Sequence, residues 1–210
     1  TANLRKVIKC AESLVLSNFV EYEGKYYELV RLQGDAFEGC TKLTSLTISK
    51  SINNITLPIQ LPTSLETINV EESNLKYDSR DNCNAIIETS TNTLLLGCKN
   101  TIIPNSVTSI GDEVFMECSN LSNITIPEGV SSISNRLFSG CSKLSSVTIP
   151  ASVTVIRGEA FSGCTSLNSV NIPGSVINIY YKAFYNCTSL ASVTIQNVAP
   201  PKIVSNTFDI

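Results

Sequence analysis

The chain repeats itself every 23 residues, and this period constrains its fold more than any other property. The stretch VFMECSNLSNITIP begins at residue 114, and copies follow at 137, 160 and 183. Phe115, Phe138, Phe161 and Phe184 recur in phase with Cys118, Cys141, Cys164 and Cys187. Leu121, Leu144, Leu167 and Leu190 keep the same step, as do Ile126, Ile149, Ile172 and Ile195. Between them lie Val107, Val130, Val153 and Val176, then Ile110, Ile133, Ile156 and Ile179. A fixed period of roughly 20–29 residues marks a solenoid, whose units bury their apolar faces only against one another.

Within a unit, Leu144-x-x-Val147-x-Ile149 fits the opening of a leucine-rich repeat. The alternation Val147-Thr148-Ile149 predicts a short strand with its apolar side inward. The usual Asn position holds Ser106, Gly129, Ser152 and Ser175 instead. Pro104, Pro127, Pro150 and Pro173 end the strands, because proline cannot donate to a ladder. VTVI predicts a second short strand on the opposite wall, and RGEAF a single tight helical turn. The expected fold is an α/β-class leucine-rich-repeat solenoid, horseshoe-like and β-rich, with short strands and one-turn helical segments.

The same grammar extends upstream in worn form. AFEGCTKLTSLTI at 36–48 is a full copy. In the next, Leu65, Ile68 and Val70 keep register, while Ile59 replaces Phe and Pro62 replaces Cys. Residues 71–99 break the period, and AIIETSTNTLLL reads as a hairpin around Ser90–Thr91. A second hairpin, FVEYEGKYYELV, turns at Glu23–Gly24. The expected organisation is one domain over 1–210: a cap over 1–35, two repeats over 36–70, the interrupting hairpin over 71–99, and regular repeats over 100–210. Phe208 begins a further unit after a one-residue insertion, read as a fragment or a blunt cap.

The block AFxGCxxLxxVxIPxSVxxI resembles the BspA-like leucine-rich repeats, a family of bacterial and protist surface proteins. YDSRDNCNAIIETSTNTLLLGCKNTIIPNSV is similar to that family's interrupting hairpin. The resemblance covers about residues 30–210. It implies an extracellular or cell-surface setting and, as in some members, adhesion to matrix glycoproteins or other cells. It brings no catalytic residues and no cofactor.

Composition narrows the chemistry. Histidine is absent, which removes a Ser-His-Asp triad, a Cys-His pair and any His-ligated metal. Fifteen Lys+Arg against 18 Asp+Glu, with no basic run, argue against a nucleic-acid partner. No apolar stretch approaches the roughly 20 residues needed to span a bilayer. The first residues, TANLRKVIKCAESLVLSNF, do not read as a secretory signal, since Glu12 interrupts a short apolar run. A monomer is expected.

Five cysteines, Cys40, Cys118, Cys141, Cys164 and Cys187, share the position three after Phe. Neighbouring coils place them about 5 Å apart, a distance that permits disulfides. They read instead as a reduced packing ladder, because buried Cys behaves as a small hydrophobe. Cys83 and Cys98 are equidistant from the Ser90–Thr91 turn, so a regular hairpin sets them opposite each other. Two readings stay open there, a cross-strand disulfide and two buried thiols. Cys10 has no evident partner.

The outward strand positions form the main candidate surface: Ser45 and Thr47, Thr67 and Asn69, Asn123 and Thr125. They continue as Ser146 and Thr148, Ser169 and Asn171, Ser192 and Thr194. Two columns of neutral hydrogen-bonding groups suit an extended peptide or the hydroxyls of a glycan. The plainer account is that β-branched Thr favours strands and small polar residues keep a sheet soluble. Tyr180, Tyr181 and Tyr185 stand where earlier repeats carry polar or small residues. Tyrosine is over-represented in binding hot spots, and the alternative is that these three cover the end of the solenoid. Asn54, Asn120, Asn123 and Asn186 open Asn-x-Ser/Thr sequons. Asp112, Glu113 and Glu117 offer the one conceivable acid pair, although charged turn residues are ordinarily solvated. The expected function is recognition of a host or neighbouring-cell protein or glycan, with a ligand-free structural spacer as the alternative; nothing supports an enzyme.

Overall fold

The computed structural model describes residues 11–196 and 199–209. Coils stack so that most strands pair in parallel with a counterpart one repeat away. In the N-terminal part the strands are β1 (Ser13–Leu16), β2 (Phe19–Tyr22), β3 (Lys25–Glu28), β4 (Arg31–Gln33), β5 (Ser45–Ile48), β6 (Asn54–Thr56) and β7 (Thr67–Val70). Strands β1, β5 and β7 form one parallel wall, with Ser13, Ser45 and Thr67 in line. Strands β4 and β6 form the opposite wall. Strands β2 and β3 make an antiparallel hairpin closed by Glu23 and Gly24. Both turn residues have positive φ, 50° and 72°, the geometry that matches strand twist in a two-residue loop. Leu16, Leu46, Ile48, Leu65 and Ile68 fill the space between the walls with Phe37.

The period then breaks at β8 (Tyr77–Asp78), β9 (Ala85–Glu88), β10 (Thr93–Gly97) and β11 (Ser109–Ile110). Strands β8, β9 and β10 are antiparallel neighbours, and β11 adds parallel to β10. Both faces of this sheet are buried. Tyr77, Ile86, Leu96 and Cys98 pack into the N-terminal core, while Cys83, Ala85, Ile87 and Leu94 pack into the C-terminal one. The hairpin is therefore a partition between two cores, which is why its strands read as unbroken apolar runs. Asn74 secures it: its Nδ2 donates to Ser49 O and Ile52 O, both at 2.9 Å. Its Oδ1 accepts from the N–H groups of Lys76 and Tyr77.

The hairpin register corrects one expectation. Glu88 pairs Thr93 and Ile87 pairs Leu94, but Ile86 then pairs Leu96, so Leu95 is a bulge. One extra residue turns the following side chains to the other face. Cys83 and Cys98 accordingly enter different cores, and both are free and buried.

The C-terminal array contains β12 (Asn123–Thr125), β13 (Ser132–Ile133), β14 (Ser146–Thr148), β15 (Val155–Ile156), β16 (Ser169–Ile172), β17 (Asn178–Ile179), β18 (Ser192–Ile195) and β19 (Lys202–Ile203). Strands β12 with β14 and β16 with β18 build one wall. Strands β13, β15, β17 and β19 form the other in a single parallel row.

The Phe-containing stretches add a third set of inter-coil bonds. The N–H of Phe138 reaches Ala160 O, and that of Phe161 reaches Ala183 O, each at 2.8 Å. Two left-handed residues per coil make this alternation: Glu113, Arg136, Glu159 and Lys182 at one position, Glu117, Gly140, Gly163 and Asn186 at the other. Instead of α-helical turns these stretches close with bonds three residues long, such as Cys164 N–H to Phe161 O. Among the described residues the only helix is a short 3-10 turn at Arg80–Asn82.

Behind this wall the phenylalanines stack. Centroid distances are 5.5, 5.3, 5.1 and 5.2 Å from Phe115 through Phe138, Phe161 and Phe184 to Phe208. Phe208 thus continues the ladder past the one-residue insertion. At its other end the stack stops at Gly97, where a Cβ would stand 2.3 Å from Phe115 Cε1.

Candidate functional site

The strand wall carries the neutral polar columns in three blocks. Ser45, Thr47, Thr67 and Asn69 sit on the β5–β7 part of the first sheet. All but Asn69 are half-buried. Asn123 and Thr125 lie beside Ser146 and Thr148 across β12–β14. Ser169 and Asn171 lie beside Ser192 and Thr194 across β16–β18. All eight are exposed. Within a rank, partners stand about 4.8 Å apart. Among the described residues no strand pairing links β7 to β12. Cys98 and Pro104 are six apart, whereas Cys118 and Pro127 are nine apart, so the intervening coil lacks the three residues that would make a strand.

The tyrosines belong to a different surface. Tyr180 follows β17, and Tyr181 and Tyr185 lie on the turn wall. The Tyr181 ring leans back over Gly158, where a Cβ would come within 2.7 Å of its Cε1. Its hydroxyl donates to Glu159 Oε1 at 2.9 Å. Lys182 Nζ lies 5.0 Å from the centre of the Tyr185 ring. Phe208, not a tyrosine, stacks on the end of the phenylalanine column. The three rings stay exposed with coils on either side of them, and the structure does not unite them with the Ser/Thr/Asn columns.

A column of alternating charge, not singled out from the sequence, runs along the turn wall at the left-handed position: Glu113, Arg136, Glu159, Lys182. Arg136 reaches Glu113 at 3.3 Å and Glu159 at 3.0 Å. Burial alone would raise the Glu159 carboxyl, but the hydrogen bonds from Arg136 and Tyr181 outweigh it and hold the carboxyl below its usual range. The signal was present in the 23-residue phase of opposite charges. The acid pair does not form. Asp112 accepts from the Asn135 N–H at 2.9 Å, Glu113 faces Arg136, and Glu117 lies against Gly140.

The thiols have a polar task within the core. Cys141, Cys164 and Cys187 Sγ donate to Phe115 O, Phe138 O and Phe161 O at 3.1–3.2 Å. Burial pushes Cys83 and Cys187 up to about 11 and Cys118 to about 12, and raises Cys141 and Cys164 further. Cys40 departs from the expected reduced ladder: it is disulfide-bonded, and its partner falls outside the described residues. The expectation for Cys10 also lies outside them. Among the described residues no group of three or more His, Cys, Asp or Glu could hold a metal. Nor is any helix there long and apolar enough to cross a membrane. Of the sequon residues, Asn123 and Asn186 are exposed, while Asn120 Nδ2 donates to Thr63 O at 3.1 Å.

The BspA type leucine rich repeat region matches residues 24–97 and 94–209 in six copies, and the chain belongs to this family. A solved leucine rich cell surface protein from Faecalibacterium prausnitzii is 26% identical, with 91% of this chain covered, 49% of that chain and a TM-score of 0.59. The pneumococcal vaccine antigen PcpA is 22% identical, covering 85% of this chain and 53% of its own, with a TM-score of 0.69. A leucine-rich repeat protein from Eubacterium ventriosum is 20% identical over 86% of this chain and 62% of that one, with a TM-score of 0.58. The last two likenesses concern the fold alone. The chain spans about half the length of the first two structures. No curated protein matches it significantly.

Proposed function

We propose that this member of the BspA type family is an extracellular or cell-surface adhesion module. It recognises a host or neighbouring-cell protein or glycan through the outward face of its strand wall, and acts as one leucine-rich-repeat domain over 1–210. The observation that carries this reading is the in-register exposure of Asn123, Thr125, Ser146 and Thr148, followed by Ser169, Asn171, Ser192 and Thr194. Parallel strands hold the backbone positions of these groups at fixed spacing, so little backbone ordering entropy opposes binding. Neutral donors and acceptors suit peptide groups and sugar hydroxyls equally. Likeness to a bacterial cell surface protein supports the setting.

The test is a label-free binding screen of the folded protein against matrix glycoproteins and a glycan array. Thr148→Arg with Asn171→Arg should weaken a saturable hit about tenfold or more, a loss near 1.4 kcal/mol. A hit that survives this change but disappears with Tyr180→Ala and Tyr181→Ala would move the site to the turn wall. No binding by the folded chain would favour a structural spacer.

A further inference from the structure

Cys98 and Cys118 hold equivalent places in two turns that meet where the partition joins the regular array. Thr101 N–H donates to Cys98 O at 3.1 Å, just as Leu121 N–H donates to Cys118 O at 3.0 Å. Both residues line one narrow crevice with Ile59, Pro62, Gly97 and Phe115. Cys98 belongs to the N-terminal core, and Cys118 packs against the C-terminal one. The crevice arises where the second copy carries Ile59 and Pro62 in place of Phe and Cys.

We propose that Cys98 and Cys118 are a site of oxidative cross-linking, where a disulfide ties the partition hairpin to the first regular coil. Stacked coils lie about 4.8 Å apart, inside the Cα separation of roughly 4.4–6.8 Å that disulfides adopt. Cys98 is fully buried and its Sγ donates to Glu66 O at 3.2 Å. Cys141, Cys164 and Cys187 are fully buried too, and each donates its proton to a Phe carbonyl of the coil before it. Cys118 makes no such bond among the described residues and is only half-buried. Cys83 faces the opposite side of the hairpin.

The oxidant is a small-molecule disulfide such as oxidised glutathione. The Cys118 thiolate attacks one sulfur, forming a mixed disulfide and expelling a first glutathione thiolate. The Cys98 thiolate then attacks Cys118 Sγ and expels the second. Two protein thiols lose two electrons and two protons, and the small disulfide becomes two thiols. Burial has raised both protein thiols, so the thiolate is scarce at neutral pH. The rate should climb about tenfold per pH unit below the thiol's own pKa.

The experiment incubates the folded 210-residue protein with oxidised glutathione at mildly alkaline pH, alkylates the remaining thiols and maps disulfides by fragmentation mass spectrometry. The expected product has lost two of the six free thiols at Cys83, Cys98, Cys118, Cys141, Cys164 and Cys187. Its mass falls by about 2 Da, and the new bond joins Cys98 to Cys118. In Cys98→Ser, Cys118 should stop at a stable glutathione adduct. Six thiols unchanged after prolonged exposure would overturn the proposal. So would an unresolved adduct on Cys118 in the parent protein, or a dominant Cys83–Cys98 or Cys118–Cys141 bond. These outcomes do not depend on which ligand the strand wall binds.

Discussion

The two halves of the molecule use one turn grammar and reach different solutions. Past the partition, every coil supplies Phe and, up to Cys187, Cys in phase, and five rings stack from Phe115 to Phe208. Before it, Phe37 is equally buried, but Ile59 follows it and among the described residues no ring stacks on its face. There the core is closed by Tyr77, Ile86 and Leu96 from the partition. A ladder perpetuates itself only while each coil offers the next the same surface. One worn copy ends it, and an insertion with two buried faces restores the seal.

Removing a rung should separate the two halves most clearly. Phe161→Ala should cost about 3–5 kcal/mol by leaving a cavity between coils, read from chemical denaturation. Phe37→Ala should cost about 1 kcal/mol less, since stacked aromatic pairs add roughly 0.5–1.5 kcal/mol beyond area. A Phe161→Ala loss below about 1 kcal/mol would refute the ladder.

Gly97→Ala probes the seam. Its Cβ would strike the Phe115 ring, and overpacking of this kind costs about 1–3 kcal/mol. At Gly163 a Cβ would meet no atom closer than 3.6 Å, and only the φ of 74° opposes it. Gly163→Ala should therefore show backbone strain alone, about 1 kcal/mol. Equal and negligible effects at both sites would mean that the seam is not closely packed.

Cys164→Ala takes away both a small apolar group and the donor to Phe138 O. A loss of about 1 kcal/mol is expected. Cys164→Ser, which keeps a donor, should recover part of it. If serine proves worse than alanine, the thiol serves by packing alone.

The charge column should respond least. Glu159 ionises below its unfolded value, so the stability it adds is present above the ordinary carboxylate pKa and lost as pH falls through the lower folded one. For an exposed network the gain should stay under about 1 kcal/mol. Glu159→Gln should flatten stability over that acid window and leave the N-terminal half unaffected.

Much of this was legible in the residues themselves. The fixed phase of Phe, Leu, Val and Ile states which side chains face inward, and both strand walls follow from it. The polar columns were equally readable, because alternation in a strand assigns faces directly. The cysteines show the boundary. Cys141, Cys164 and Cys187 obeyed the period, while Cys83 and Cys98 stayed open between a disulfide and two buried thiols until the Leu95 bulge decided for the thiols. The Glu113–Arg136–Glu159–Lys182 column was written in the same 23-residue phase, but only the structure shows that this turn position is left-handed and that Arg136 reaches both of its acidic neighbours.

The order of residues alone dictates that the chain is a solenoid, which side chains are its rungs, and that no histidine chemistry can occur in it. Repetition carries that information, since the same local pattern must satisfy the same neighbour each time. Folding in three dimensions settles how the worn copy is bridged, which core each face of the hairpin enters, and which two thiols meet at the joint. Those outcomes depend on a one-residue register shift and on surfaces from distant segments. A linear pattern does not record which surfaces come together.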